Sequence, residues 1–437
     1  MSFFKKILIK LLTLESKLIL RKYKPFIIAV TGSVGKTSTK DAIYCVLKDQ
    51  SKYVRKSEKS FNSEFGLPLT VIGVPNAWRS IAGWLRNIGE GLRFIMTDRE
   101  YPDCLILEIG ADHPGDISKI TKWLKPDISV ITKVSKTPVH VEFFKSPEQV
   151  FEEKAALAVA VKDGGSLILF ADDSHVSLLS ERVVSRNVKV INYGTVATAN
   201  IVGHDLSIVY KSDGDARFPV ATKFGIDIHG MSKSVTISHV IGETYQYPIL
   251  AAVAVGLAKG IDPEKIIANL ESYEAPHGRM NIIQGINMST IIDDTYNSSP
   301  DATLSALRAL KLIETSGSKI AVLGDMMELG KYAAEEHKKI GREAASIAHT
   351  LITVGPRSRL TADEAVKAGM DPRKVFSFDS STDVVKAGLP IVVRGDVVLV
   401  KGSQSVRTER IVKALLRDPE RAAELLVRQE KEWLDKK

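Results

Sequence analysis

The sequence has little cysteine, and both cysteines lie in apolar surroundings. Cys45 and Cys104 are the only two in 437 residues, and each sits inside an apolar stretch. A disulfide framework is therefore not expected, and two buried free thiols fit a protein of a reducing compartment. No zinc-finger spacing occurs. We expect a cytoplasmic protein.

Long apolar runs and low-complexity tracts are also missing. Hydrophobic residues make up 44% of the chain and charged residues 26%, which is ordinary for a soluble globular protein. At about 100 to 200 residues per domain, a chain of 437 residues predicts two or three domains. We therefore expect a cleft between domains.

The formal net charge of +8 favours acidic partners. Nucleotides, phosphorylated substrates, nucleic acid and an anionic membrane surface all belong to this class. No aromatic-rich RNA-binding motif occurs, and the basic residues are spread along the chain apart from one cluster at its start. We therefore expect no nucleic-acid partner.

That cluster, residues 1–24, predicts an amphipathic basic helix. Its apolar residues recur at helical spacing among seven lysines and arginines, and they are Phe4, Ile7, Leu8, Leu11, Leu18 and Ile19. The segment is too interrupted by charge to span a bilayer, and the strand that follows leaves no room for a signal-peptide cleavage site. Two interpretations stay open: the helix packs on its own domain, or residues 1–22 make a peripheral membrane contact.

Residues 25–277 predict an ATP-binding domain built on a parallel sheet. Short apolar strands are predicted at 26–31, 104–110, 128–132 and 166–170, with helical patterns between them. This alternation is typical of α/β proteins. From about Lys189 to Val240 shorter alternating strands predict an antiparallel extension of the same domain, closed by a helix from about Tyr247 to Lys259.

Residues 278–437 predict a second, Rossmann-like α/β domain. Strands are predicted around residues 291, 319–325, 351–355 and 396–402, with helices from Pro300 and from Ala333. A turn at 276–278 marks the boundary. This unit has no phosphate loop of its own, so we expect it to hold another substrate or to complete the ATP site.

The segment TGSVGKT directly after the first strand predicts a phosphate loop. Backbone N–H groups and the N-terminus of the following helix would face an incoming phosphate. Lys36 would meet the terminal phosphates and Thr37 would ligate magnesium, although Val30 stands where the general pattern has its first glycine. A chance tight turn is the alternative. The predicted ATP-binding residues of this segment are Thr31, Gly32, Ser33, Gly35, Lys36, Thr37 and Ser38.

Glu108 ends the apolar strand CLILE and is the predicted carboxylate ligand of magnesium. Magnesium between phosphates needs hard oxygen ligands, and the strand end would emerge beside the loop if the two strands are neighbours. The alternative is a carboxylate that caps the following turn.

Several segments together resemble the Mur ligases. TGSVGKTSTK (31–40), FNSEFGLPLT (61–70) and LEIGADHPGDI (107–117) are similar to motifs of that family's ATP domain. GRM (278–280), IIDDTYNSSPDA (291–302), VLGDMMELG (322–330) and VKGSQSVRTER (400–410) are similar to motifs of its C-terminal half.

The resemblance implies an ATP-dependent amide ligase of cell-wall precursor synthesis. A substrate carboxylate would take the γ-phosphate to give an acyl phosphate, which the amine of an amino acid or dipeptide then attacks. Positioning and charge neutralisation are what such a transfer needs. The specific expectation is D-alanyl-D-alanine addition to an acidic muramoyl-peptide substrate by a monomeric enzyme that uses ATP and Mg²⁺.

The resemblance also assigns residues to this chemistry. His140 matches a metal-binding histidine, and Lys154 matches a lysine that several members carry as a carbamate, an oxygen ligand. A loop-packing histidine and a solvated helix lysine are the alternatives. Lys36, Glu108, His140 and Lys154 are thus the expected catalytic residues, and Thr37 joins the last three as a metal ligand.

Other matched positions imply binding across the domain junction. Arg279 and Asp294 match contacts to the ATP phosphates and ribose, with a surface arginine and a strand-end carboxylate as alternatives. The expected substrate-binding residues are Asn62, Asn297, Lys401, Ser403 and Arg407, for which turn or capping roles stay open.

The sequence departs from the family in two places. The family's G-x-H-N-x-x-N segment is replaced at 242–248 by GETYQYP, which leaves the usual asparagine contact in doubt. The phosphate loop begins only about thirty residues in, so we expect the family's N-terminal UDP-binding domain to be absent. A different or lipid-linked acceptor, a folate-like polyglutamate or another wall polymer therefore stays open, as does a P-loop NTPase switch that performs no ligation.

Overall fold

The structure, a computed structural model, describes residues 3–58, 61–78, 80–214, 216–228, 230–388 and 390–435. Two sheets organise the chain. The first has nine strands in the order β2-β3-β1-β4-β5-β6-β7-β8-β9, and the second has six in the order β10-β11-β15-β12-β13-β14. This confirms the predicted α/β class.

The first sheet is parallel from β2 to β7 and antiparallel from β7 to β9. Its strands are β1 (Phe26–Thr31), β2 (Val54–Lys56), β3 (Cys104–Glu108), β4 (Ile128–Ile131), β5 (Ser166–Phe170), β6 (Lys189–Gly194), β7 (Ile201–Asp213), β8 (Ala216–Ile228) and β9 (Met231–Ser238). The central strands are buried along their length, as expected for strands covered on both faces. The predicted antiparallel extension is confirmed.

Nine helices accompany this sheet in the described part of the chain. They are α1 (Phe3–Tyr23), α2 (Lys36–Leu47), α3 (Gly66–Ile72), α4 (Ile81–Met96), α5 (Asp116–Ile120), α6 (Pro147–Val159), α7 (Ser174–Ser177), α8 (Glu243–Ala258) and α9 (Pro263–Leu270). The helix predicted from Tyr247 begins at Glu243 instead, so Pro248 lies inside it and leaves one carbonyl of the preceding turn without its helical donor. The sequence analysis did not predict α4.

The second sheet is parallel except for the hairpin that opens it. Its strands are β10 (Asn281–Gln284), β11 (Thr290–Asp294), β12 (Lys319–Gly324), β13 (Thr350–Val354), β14 (Val375–Phe378) and β15 (Val397–Lys401). Its helices are α10 (Pro300–Leu312), α11 (Ala333–Ala345), α12 (Arg359–Lys367), α13 (Ser381–Lys386), α14 (Glu409–Leu415), α15 (Ala422–Leu425) and α16 (Lys431–Leu434). The predicted starts at Pro300 and Ala333 are confirmed.

The N-terminal segment packs on the first domain. Buried side chains of α1, namely Leu8, Leu12 and Ile19, belong to the same apolar core as the central strands. Residues 1 and 2 and the side chain of Phe4 lie outside the described part. Of the helices described, none combines the length and apolar character needed to cross a bilayer.

Both cysteines are buried and unpaired, as the sequence predicts. Cys45 lies on α2, where its thiol donates to the carbonyl of Asn269 at 3.0 Å. Cys104 begins β3, and burial raises the pKa of its thiol to about 11. The two thiols therefore serve packing.

Candidate functional site

The turn between β1 and α2 needs glycine at two positions. Gly32 has φ +148°, and a Cβ there would lie 1.9 Å from the hydroxyl of Thr132. Gly35 has φ +86° in the left-handed region and precedes the first residue of α2. A side chain at Gly32 would therefore displace the loop from β4.

Hydrogen bonds to the residues that follow β4 hold one side of the loop, and the other side carries N–H groups of α2 that have no partner within the helix. The N–H groups of Ser33 and Val34 donate to the carbonyl of Lys133, and the Thr132 hydroxyl donates to the carbonyl of Val34 at 2.7 Å. The first intrahelical bond runs from Thr39 to Gly35, so the N–H groups of the first three residues of α2, Lys36, Thr37 and Ser38, have no acceptor inside the helix.

Unsatisfied polar groups at this loop suit an anion. The hydroxyls of Thr31 and Ser33 are buried without a hydrogen-bond partner in the described part of the chain. The free N–H groups of Lys36 and Ser38 add donors at the positive end of α2. The predicted loop residues thus bring several hydrogen-bond donors together at the N-terminus of α2, as a phosphate site requires.

Lys36 is folded over this cradle. Its amine donates to the carbonyl of Gly32 at 3.0 Å. Burial lowers the pKa of Lys36, and the carboxylate of Glu108 opposes that shift. Arg279, from the far side of the cleft, lowers the pKa further. The lysine is therefore next to both a candidate metal ligand and a residue of the domain junction.

Glu108 emerges beside the loop because β3 is the neighbour of β1. Val30 and Glu108 are register partners in this parallel pair. The Glu108 side chain is buried, and its Oε1 lies 3.4 Å from the donating amide of Asn62. The backbone N–H of Glu108 donates to Ser57 Oγ at 3.1 Å. Asn62 therefore contacts the candidate metal ligand itself.

The donor set at this end of the sheet fits magnesium. A hydroxyl on Thr37 and a carboxylate on Glu108 are hard oxygen donors, and magnesium takes only one or two carboxylates besides phosphates and water. Among the described residues, no group of three or more His, Cys, Asp or Glu side chains forms a metal cluster. A site shared with bound phosphates therefore fits these residues better than a protein cage.

Lys154 lies in the interior on α6. Its side chain is only 4% exposed, which rules out the solvated-charge alternative. Burial, followed by the positive charge of Lys36, lowers the pKa of Lys154 to about 7. Its neighbour Glu153 accepts from the N–H groups of Gly115 and Ser118 at 2.9 and 2.8 Å. Glu153 is thus occupied at the start of α5, and the negative charges of Asp112 and Glu153 offset the lowered pKa of Lys154 only in part.

His140 lies between the two domains. The residue has φ +69°, and its Nδ1 lies 2.6 Å from a carboxylate oxygen of Glu328 in the second domain. Its Nε2 lies 3.4 Å from Asp112 in the first domain. The hydrogen bond from His140 lowers the pKa of Glu328. His140 therefore does more than pack within its own loop, because it links the two domains.

Arg279 reaches the phosphate loop from the junction. Its Nη2 donates to the hydroxyl of Thr37 over 3.4 Å, and its guanidinium lies 4.4 Å from the ring centre of Tyr296. The backbone carbonyl of Arg279 accepts from the hydroxyl of Tyr245. The ring and the hydrogen bond hold this arginine over the loop, so the surface-arginine alternative is wrong.

Asp294, Asn297 and Lys401 are neighbours. β11 and β15 are parallel partners, which places Lys401 next to Asp294 in register. The buried Lys401 amine lies 2.6 Å from an Asp294 oxygen and donates to the carbonyl of Asn297 at 3.0 Å. The sequence places these residues in separate segments, and the structure shows that Lys401 fixes the strand end that carries Asp294.

Ser403 and Arg407 make structural contacts. The Ser403 hydroxyl accepts from the N–H of Met327 at 3.0 Å. Arg407 donates to Glu409 and to the carbonyl of Trp433, whose ring its guanidinium also covers. Both side chains are buried in these contacts. The Ser403 side chain makes no capping hydrogen bond to the helical turn that follows it.

A cavity of about 190 Å³ adjoins the phosphate loop at Gly35 and Thr39. Aromatic rings of Phe170, Tyr193 and Tyr247 line it. Polar groups come from both domains. They include Glu243, from the segment 242–248 in which the sequence differs from the family motif, and Arg308 of α10. Aromatic side chains together with polar and charged groups suit a planar heterocycle whose edges form hydrogen bonds.

The residues that hold His140 were not predicted from the sequence. Asp112 contacts His140 within the first domain, and Glu328 contacts it from the second domain. The hydroxyl of Thr137 donates to Glu336 at 2.6 Å, another contact between domains. Asp112 and Glu328 lie inside segments that resemble family motifs, but only the folded chain shows which partners they meet.

Two family models match the chain. The Mur ligase middle domain matches residues 30–256, and the Mur ligase, glutamate ligase domain matches residues 278–404. The two matches fall on the two sheets, and they include the phosphate loop and the segment of Lys401.

Similar curated proteins share one name, UDP-N-acetylmuramoyl-tripeptide--D-alanyl-D-alanine ligase. The protein from Bacillus subtilis (strain 168) is 29% identical over 394 residues, which covers 90% of this chain and 76% of that protein. The protein from Mycobacterium bovis is 31% identical over 415 residues, which covers 90% of this chain and 73% of that protein.

Similar solved structures include the MurF ligase from Thermotoga maritima in complex with ADP. It superposes with a TM-score of 0.74 at 26% identity, covering 95% of this chain and 84% of that chain. The Mycobacterium tuberculosis folylpolyglutamate synthase complexed with ADP has a TM-score of 0.63 at 14% identity, covering 92% of this chain and 94% of that chain. The latter shares the fold.

Proposed function

Because this chain belongs to the Mur ligase family, we propose that it is an ATP-dependent ligase of cell-wall precursor synthesis that joins a peptide carboxylate to an amine. The contact of Arg279 with Thr37 across the cleft carries the proposal, because it builds one site from both domains around the phosphate loop. The relatives' names support D-alanyl-D-alanine as the amine and a muramoyl tripeptide as the acceptor.

The residues of the site suit the reaction. A carboxylate oxygen of the acceptor attacks the γ-phosphorus of ATP and ADP leaves; the amine then attacks the acyl carbon, phosphate leaves and the amine loses a proton. Lys36, Arg279 and the free N–H groups of α2 face the phosphates and stabilise the charge that develops on them. A closed cleft would exclude water, which would otherwise hydrolyse the acyl phosphate.

Thr37 and Glu108 would hold magnesium in this site. The ion would supply positive charge between the phosphate oxygens. Asn62 would orient Glu108 through the contact between the Asn62 amide and the carboxylate. His140 is the third proposed ligand, with Glu328 holding the orientation of its ring.

We also propose a carbamate on Lys154. The amine is buried in the described structure without a carboxylate partner, and Glu153 is occupied at the start of α5. Addition of CO₂ to a neutral amine gives a carbamate anion and releases one proton. The product would place two oxygens next to Lys36 and remove the repulsion between two buried cations.

The aromatic cavity beside Gly35 is the proposed site of the adenine base. Its distance from the loop is short, because the same residues, Gly35 and Thr39, belong to both. Glu243 and Thr244 line the cavity from the start of α8, where the usual family asparagine is missing. Asp294 and Arg279 would then meet the ribose and phosphates from the second domain.

The proposal includes the oligomeric state and location of the enzyme. We propose that the enzyme acts as a monomer in which one chain supplies the whole site. Buried free thiols support a reducing compartment, so we place the enzyme in the cytoplasm, at the inner face of the membrane if residues 1–22 contact lipid.

A substrate screen tests the proposed reaction. Purified protein is mixed with ATP, magnesium and a panel of muramoyl-peptide acceptors crossed with single amino acids and D-alanyl-D-alanine. We expect phosphate release that requires both an acceptor and an amine, and mass spectrometry then identifies the amide product. Phosphate release without any dependence on acceptor and amine would instead indicate an NTPase switch.

A further inference from the structure

The helix α1 has a buried face and an exposed apolar stripe. The exposed residues are Ile7, Leu11, Leu14 and Leu18, of which Leu14 is 54% exposed. At 3.6 residues per turn, these four positions fall within an arc of about 60° on one side of the helix. One face of the helix therefore packs on the domain, as the first interpretation predicts, and another presents leucine and isoleucine to solvent, where the membrane contact stays a prediction.

The helix α4 repeats this pattern. Its exposed apolar residues are Ile81, Leu85, Leu92 and Met96, which also fall within an arc of about 60°. Met96 is 79% exposed, and Trp78 in the loop just before the helix is 77% exposed. Phe94 on the opposite side and Trp84 on the side that carries Gly91 are both buried, which shows that α4 is anchored to its domain.

The two helices lie side by side and run in the same direction. Glu15 of α1 faces Gly91 of α4, where an added Cβ would lie 2.3 Å from a Glu15 oxygen. One or two turns later, Lys22 donates to the carbonyl of Thr97 at 2.8 Å. Later residues of one helix thus meet later residues of the other.

The two stripes face the same side. Around the axis of α1, the order is the core residue Leu12, then Glu15 at the contact with α4, then the stripe. Around the axis of α4, the order is Phe94, then Gly91 at the contact with α1, then the stripe, in the opposite sense of rotation. When two adjacent parallel helices expose their stripes on the same side of the domain, the order of core, contact and stripe runs in opposite senses around their axes. The stripes therefore form one face, which we call the α1–α4 face.

Basic residues surround the α1–α4 face. The two helices carry Lys5, Lys6, Lys10, Lys17, Arg21, Lys22, Arg86 and Arg93, and only two carboxylates, Glu15 and Glu90. Glu15 is buried, and Glu90 pairs with Arg93 and Arg99. Lys22 pairs with the exposed Asp98, and Lys5 lies over the ring of Phe65. The other basic residues, Lys6, Lys10, Lys17, Arg21 and Arg86, leave an excess of positive charge at this surface.

We infer that the α1–α4 face binds an anionic lipid bilayer, lying flat on it with both stripes in the interfacial layer. Apolar stripes flanked by lysine and arginine, with a tryptophan at one end, combine apolar burial with attraction to anionic headgroups. A protein groove would match the stripes but would not require this excess of positive charge. The inference goes beyond the proposed ligation, because the face is separate from the cleft.

Vesicle sedimentation with surface variants tests the inference. Deleting residues 1–22 would remove buried Leu12 and Ile19, so substitutions on the exposed stripes are better suited. The variants are Leu11→Ser with Leu14→Ser, and Ile81→Ser with Leu85→Ser. The matched control is Val184→Ser with Ile391→Ser, two exposed apolar positions outside both helices.

We expect the full chain to sediment with phosphatidylglycerol-containing vesicles, less so as salt rises, and weakly with pure phosphatidylcholine vesicles. Each stripe variant should lower vesicle binding at least about tenfold, as expected for two buried leucine-sized side chains, while the control binds as the full chain does. Unchanged melting temperatures and ATP turnover would show that the variants fold, whatever acceptor the enzyme uses.

Several outcomes would overturn the inference. The full chain could fail to sediment with anionic vesicles, bind neutral vesicles equally well, or bind as tightly with substituted stripes. Self-association that the stripe variants abolish, measured by analytical ultracentrifugation without vesicles, would show that a second copy covers the face instead.

Discussion

Two lysines with different roles lie close together at the phosphate loop. Lys36 is held by the carbonyl of Gly32, and Lys154 is buried behind it on α6. Two cations at short range are unfavourable unless bound anions or a modification of one lysine offset the repulsion. The proposed phosphates and the proposed carbamate would each supply that negative charge.

Replacing Lys36 tests the phosphate loop. Lys36→Ala should lower ATP turnover at least about a hundredfold, because it removes positive charge aimed at the transferring phosphate. The fold should stay intact, as judged by circular dichroism and thermal melting. The control Lys122→Ala removes an exposed lysine and should retain turnover. Full turnover in Lys36→Ala would refute the assignment.

Replacing Lys154 tests the carbamate. Lys154→Ala should lose activity and regain part of it with added short carboxylates, whose oxygens can occupy the vacated positions. Labelled CO₂ should give a carbamate signal in the NMR spectrum of the unmodified chain and none in the variant. The exposed Lys145→Ala should neither lose activity nor respond to carboxylates. Activity retained by Lys154→Ala would exclude a catalytic carbamate.

At the scale of elements, α1 and α4 meet at a buried carboxyl group. Glu15 lies against Gly91, and one of its oxygens is buried without a partner in the described structure. Burial raises the pKa of Glu15 to about 7, from an ordinary value of 4.5. Burial of Glu15 between the two helices therefore lowers the free energy of unfolding by an amount that depends on pH.

The sign of that dependence gives a stability prediction. Between pH 4.5 and about 7 only the unfolded state ionises Glu15 fully, so stability falls as pH rises through this window. Glu15→Gln should therefore be more stable than the parent by up to about 3 kcal/mol at about pH 8, and equal to it at about pH 4.

Chemical denaturation of both proteins at the two pH values measures this difference. Glu271→Gln replaces an exposed carboxylate and should change stability by less than about 0.5 kcal/mol at either pH. A Glu15→Gln advantage that is the same at both pH values would contradict ionisation as its cause.

At the scale of the whole molecule, several side-chain contacts join the two domains, and one of them is the ion pair of Lys133 with Asp301. Arg279 meets Thr37 at the phosphate loop, and Glu328 meets His140. Glu336 accepts from Thr137 at 2.6 Å. These contacts lie on loops and helix ends, so they can break and re-form as the cleft opens and closes around substrates.

Glu328→Ala should weaken closure. A contact between two partly exposed charged groups contributes up to about 1 kcal/mol, so kcat should fall by up to about fivefold. ATP affinity should change little, since most proposed ATP contacts belong to the first domain. Steady-state kinetics and nucleotide titration separate these quantities. Asp363→Ala, at an exposed site of the same domain, is the control. An unaltered kcat in Glu328→Ala would show that this contact does not support catalysis.

The sequence by itself determined the domain types and the position of the phosphate loop. Hydrophobic period and glycine placement are local properties, so β1, the turn at Gly32 and the start of α2 could be predicted. The alternation of strands and helices likewise predicted both sheets. The helix α8 was predicted to start at Tyr247 and starts four residues earlier, at Glu243. The prediction was wrong because Pro248 is typical of the first turn of a helix.

Only the tertiary structure decided which side chains meet. Burial of Lys154, the partners of His140 and the pairing of Lys401 with Asp294 depend on residues far apart in sequence. The α1–α4 face is a further case, because helical spacing identifies an apolar stripe but cannot tell a core-facing stripe from an exposed one. Long-range packing makes that distinction, and no local pattern encodes it.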